Sequence, residues 1–146
     1  MTEKDVKDML LQLNLVNAQY CDLYDDFFSQ KMGVAYDYNL KLSQLFRIQC
    51  LLENSNVNLI IFENSFSNTK SQPPILATIK SYIENRRQSM RGFRTVLQAL
   101  KEKANGKLFR YSFFKYRKDV HMLERLESNA LIIGNHLQNY FDQHFL

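Results

Sequence analysis

Val6, Met9, Leu10, Leu13, Val16, Tyr20, Leu23, Tyr24, Phe27 and Phe28 follow one another at spacings that favour three and four. A helix of about 3.6 residues per turn gathers such positions on one side. The spacing therefore predicts a long amphipathic helix, and its ends look marked. Thr2 reads as the N-cap with Asp5 as its reciprocal acid, and Gly33 as the left-handed residue beyond the last turn, which gives a helix over residues 3 to 32. Asp22, Asp25 and Asp26 lie off the apolar stripe. Leu11 and Leu15 also project away from it, so this helix has apolar surface to spare.

Three further helices follow by the same reasoning. "YNLKLSQLFRIQCLLE" would bury Leu42, Leu45, Phe46 and Leu52, with the polar run "ENSN" as its stop. "VNLIIF" is rich in β-branched residues, but a strand without a partner is a poor structure; a helical or extended core plug, a short irregular segment after the second helix, is expected instead. A loop over "ENSFSNTKSQ" leads to Pro74, whose fixed backbone angle suits a first helical turn. The third helix buries Ile75, Ile79, Tyr82, Ile83, Met90, Phe93, Leu97 and Leu100, and Gly106 stands where its C′ residue should be. Asp119 is the expected N-cap of the fourth, whose stripe is Leu123, Leu126, Ala130, Ile133, Leu137 and Phe141. Gly134 lies on or near that stripe, where a partner helix can approach closely.

Long helices with short connections make an all-α four-helix bundle of mainly antiparallel neighbours. A chain of 146 residues, 45% hydrophobic and with only four glycines and two prolines, suits a single domain over 1–146 with its own core. There is no uninterrupted apolar run of about 18 residues, and "MTEKDVKDML" is no signal sequence. Cys21 and Cys50 read as free, buried thiols in a reducing compartment, so a cytoplasmic protein is expected.

Charge is distributed far less evenly than the net +4 suggests. Residues 86 to 118 hold eleven Lys and Arg against Glu102 alone, leaving eight cations against fourteen carboxylates elsewhere. At about 100° per residue, Arg87, Arg91 and Arg94 share one stripe that Gln98 and Lys101 continue. Arg110, Lys115 and Arg117 extend the positive region beyond the third helix. A solvated basic face would account for this ridge, and so would an anion-binding surface. Arg86 differs, because it projects into the middle of the apolar face. It should meet a carboxylate, with Asp25 or Asp26 as first candidates, or snorkel to the edge.

"KLFRYSFFKYRK" interleaves aromatic and basic residues. Such a run serves as a packed connector, as a membrane-interface segment, or as a stacking platform for single-stranded nucleic acid; the first is the plainest reading. Catalysis has little support. His121, His136 and His144 lack metal-ligand spacing, no phosphate loop or nucleophile elbow is present, and neither a metal nor a cofactor is implied.

"KLFRYSFFKYRKDVHMLERLESNALIIGNHLQNYF", with its basic-aromatic lead, Lys-Asp pair and Leu-rich closing helix, resembles the last part of the HeLo-type helical domains of fungal cell-death proteins. The N-terminal bundle of the mixed-lineage kinase-like pseudokinases is similar in outline. The resemblance implies a four-helix bundle that self-associates and engages anionic membranes, with Arg87, Arg91 and Arg94 in its basic surface. From the residues themselves the expectation is a non-enzymatic helical interaction module. Its partner would be a protein or a second copy in a homo-oligomer, with an anionic lipid surface next and nucleic acid after that; an adaptor or inhibitor bundle fits equally. The expected surfaces are the ridge and the apolar excess at Leu11, Leu15 and Ile132, the last projecting opposite its helix's core stripe.

Overall fold

The computed structural model describes residues 3–29, 37–66, 72–106 and 111–146. It consists of four helices, α1 (Glu3–Phe28), α2 (Tyr38–Ser65), α3 (Pro74–Ala104) and α4 (Phe113–Phe145), and no strand among the described residues. At about 1.5 Å per residue each is roughly 40 to 50 Å long. Thr2, Gly33 and Arg110 lie outside the described residues, so the caps expected at the first two are not described.

Side-chain contacts fix the directions. Arg87 meets Glu53 while Lys80 meets Glu63, so α3 runs antiparallel to α2. Arg86 meets Glu127, and Gly92 faces Leu123, so α4 runs antiparallel to α3. Asn17 reaches Arg86 and Tyr20 reaches Ser89, which makes α1 and α3 parallel across the diagonal. The order is up, down, up, down. The seam between α1 and α4 is the loosest of the four.

α3 is the central helix, with Ile79, Ile83, Met90, Phe93 and Leu97 fully enclosed. Against Phe93 stand the rings of Tyr20, Tyr24, Phe27 and Phe28, with centroids 5.3 to 6.1 Å away. Pro74 opens α3 as expected, and Gly106 follows the Asn105 C-cap at φ +72°.

Three helix boundaries differ from the sequence reading. α2 does not stop at "ENSN" but carries "VNLIIF" on as helix, so no irregular segment interrupts it. Leu45, Ile48, Leu52, Ser55 and Leu59 keep the spacing of three and four, and the buried Ser55 hydroxyl donates to the Leu51 carbonyl one turn back. None of these polar residues is a helix breaker. Phe46 lies about 100° away from that stripe and is 57% exposed. α4 begins at Phe113, six residues before Asp119, because the Ser112 hydroxyl already accepts from the Lys115 amide and nothing after it interrupts the helix. α1 ends at Phe28. Both thiols are free, with Cys21 half-buried and Cys50 exposed instead of buried.

Candidate functional site

The run "RRQSMRGFR" divides its four arginines between three environments. Arg86 is 1% exposed. Its guanidinium donates to both carboxylate oxygens of Glu127, at 3.0 and 3.3 Å, and to Asn85 and Asn17. It also lies over the rings of Tyr20 and Tyr82. The acid is therefore Glu127, not Asp25 or Asp26, and the side chain does not snorkel. Glu127 also accepts from the Ser89 hydroxyl at 2.8 Å. Having spent its one proton there, Ser89 accepts from Tyr20 at 2.7 Å. Burial raises the Tyr20 phenol well above its ordinary range and pushes Tyr82 up to about 12, so both stay neutral, Tyr20 as the donor to Ser89. The group is a closed polar network inside the bundle.

Arg87 lies between α2 and α3, 2.7 Å from Glu53 and 3.4 Å from Glu84. Its charge is answered locally. Arg91 and Arg94 are exposed, and neither has an ion-pair partner among the described residues. They stand on a crest between two grooves. One, about 390 Å³, is bounded by Phe46, Cys50 and Glu53 of α2. The other, about 420 Å³, reaches to Lys115 and Asp119 at the start of α4.

The second groove is held open by a short brace. Lys103 donates to the Tyr111 carbonyl at 2.8 Å, and the Tyr111 hydroxyl donates to Asp119 at 3.0 Å. With Ser112 capping α4, this fixes Lys115 across from Arg91 and Arg94. The first turn of α4 then directs Phe113 and Phe114 outward, 62% and 82% exposed, with Arg117 over the Phe113 ring. "KLFRYSFFKYRK" is thus only partly a connector: Tyr111 is buried and Tyr116 half-buried, but the two phenylalanines are free of the core. Lys101 is half-buried near the end of α3. Arg91, Arg94 and Lys115 line one groove; Arg117 lies over the exposed Phe113 ring on a different side of α4, and Arg87 stands apart as a paired residue.

Gly92 marks the close approach of α3 to α4. A Cβ there would lie 3.0 Å from Leu123 Cδ2, so α3 and α4 approach closely at Gly92; at Gly134 a Cβ would meet Tyr82 at an ordinary 3.7 Å. Gly92→Ala is expected to change stability by less than about 0.5 kcal/mol, because roughly 1 kcal/mol of helix propensity offsets the shift asked of a flexible leucine end. Gly92→Ile should cost about 2 kcal/mol through overpacking. Thermal denaturation of both variants checks the contrast.

Of the expected apolar interface, Leu11 lines a groove of about 350 Å³ between α1 and α4, opposite Leu131. Leu15 and Ile132 are exposed outside it. Sequence reasoning passed over Glu127 and Leu131, and weighed Phe113 and Phe114 only as part of the run "KLFRYSFFKYRK". A signal for Glu127 existed, since it stands four residues after Leu123 and three before Ala130, on the core stripe itself. Among the described residues no three His, Cys, Asp or Glu side chains gather as a metal site, and no helix is long and apolar enough to cross a membrane. The chain matches no family model, no curated protein and no solved structure.

Proposed function

We propose that this bundle is a non-enzymatic interaction module that docks on an anionic membrane surface through Arg91, Arg94, Lys115, Arg117 and the Phe113–Phe114 pair. The observation that carries the reading is that among the described residues Arg91 and Arg94 have no carboxylate partner, while the start of α4 leaves Phe113 and Phe114 outside the core. Cations without local partners keep their attraction for lipid phosphates, and aromatic rings at the headgroup level add apolar burial. This is also the kind of function that the likeness of the closing helix to HeLo-type domains implies. Arg86 and Arg87 take no part, being spent on Glu127, Glu53 and Glu84.

Co-sedimentation with phosphatidylserine-containing and with pure phosphatidylcholine vesicles tests it, at low and at physiological salt. Selective binding to the anionic vesicles is expected. Arg91→Glu with Arg94→Glu should weaken it about 30-fold or more, at about 1 kcal/mol for each cation near the surface. Arg87→Ala should weaken it little. A protein that ignores both vesicles but shifts single- or double-stranded nucleic acid would replace this reading with a nucleic-acid one, its affinity falling steeply with salt.

A further inference from the structure

The groove of about 350 Å³ between α1 and α4 is walled by leucines of both helices and by the Phe141 ring. Two hydrogen-bond donors that line it lack an acceptor among the described residues. Tyr82 of α3 is 6% exposed, and its hydroxyl donates to no described group. Gly134 leaves that end of the ring uncovered: a Cβ there would stand 3.7 Å from Tyr82 Cε2, the carbon next to the one that carries the hydroxyl. Asn17 turns its oxygen to Arg86, which leaves its amide nitrogen as the second donor. Buried donors are normally paired, and an unpaired one costs stability until something supplies an acceptor.

The lining also carries no charge. In a chain where 23% of the residues are charged, no Lys, Arg, Asp or Glu lines this groove, and its polar rim is Asn14, Asn135 and Gln138. Arg86, below Asn17, is spent on Glu127. One turn beyond the other end, Lys7 on α1 and Asp142 on α4 are of opposite sign.

We infer that the groove binds a small, uncharged, largely apolar molecule whose carbonyl oxygen accepts from the Tyr82 hydroxyl. Apolar walls with a few directed polar groups are the usual form of a small-molecule site. At about 30 Å³ for a water-sized group, the volume holds about a dozen non-hydrogen atoms. A carboxylate would find no free cation in the lining, and a plain hydrocarbon would leave Tyr82 unpaired. Arg91, Arg94, Lys115, Phe113 and Phe114 do not line this groove, so the inference stands apart from the membrane surface.

Amide NMR titration with 2-nonanone, in the absence of vesicles, tests it. Saturable shifts centred on Asn17, Tyr82 and Gly134 are expected. Nonanoate, of the same chain length but charged at pH 7, should bind at least about tenfold more weakly. Tyr82→Phe should weaken 2-nonanone binding roughly three- to tenfold, the worth of one hydrogen bond, and leave Tm unchanged, because the hydroxyl has no partner to lose. Gly134→Leu should abolish binding by filling the groove, without lowering Tm, since leucine replaces glycine within a helix. If Gly134→Leu unfolds, Tyr82→Phe decides. Shifts that do not saturate, equal binding of nonanoate, or full affinity in either folded variant overturns the inference.

Discussion

Glu127→Ala should lower stability by about 3 kcal/mol, because it leaves the Arg86 guanidinium charged, enclosed and without its anion. For a chain of this size that is a fall in Tm of about 10 °C. Asn17 and Asn85 remain to accept from the guanidinium, but two amide oxygens do not balance a full charge. Ser89 loses its acceptor in the same step. The comparison that isolates the cause is Arg86→Met with Glu127→Leu. Removing both charges should cost less than removing one, since attraction inside a protein repays desolvation only while the pair is intact. Some loss should remain, because Ser89 and Asn85 keep polar groups without their partners. Chemical denaturation of the wild type and these two variants measures the difference; equal losses would show that packing, and not charge, sets the cost.

Phe93→Ala should cost about 3 to 5 kcal/mol, the range for deleting an enclosed ring. Phe93 is fully buried, and four aromatic rings of α1 pack around it. Two of them, Tyr24 and Phe28, are only half-buried, so part of the space can close by their inward movement. The loss should therefore fall nearer the lower figure. Phe93→Leu, which keeps most of the volume, should lose about half as much. Denaturant midpoints at constant m-value decide between a cavity and a looser folded state.

The helix count and most of the core could be read from spacing alone. The α1 stripe from Val6 to Phe28 is buried or half-buried throughout, and Ile75, Ile79, Ile83, Met90, Phe93 and Leu97 fill the centre as their positions predict. What failed were the stops. "ENSN" and Asp119 look like boundaries, yet their residues are only weakly unfavourable within a helix, and core contacts on both sides override a weak local preference. The basic ridge was legible as a stripe of charge. Its division was not, because Glu53 lies 34 residues from Arg87, and only the fold brings them together. Phe46 shows the same limit: α2 carries apolar residues on two sides, and periodicity does not say which side faces inward.

The polar network at Arg86 also sets the alignment of the helices. Apolar ridges repeat along a helix, so α4 could slide one turn along α3 and still bury leucines. Such a slip would put Leu123 or Leu131 where Glu127 now stands, opposite a guanidinium with no anion. The network joins residues 41 and 69 positions apart, and it closes only when α1, α3 and α4 are all in place. A bundle whose hydrophobic pattern tolerates several registers is thereby restricted to one.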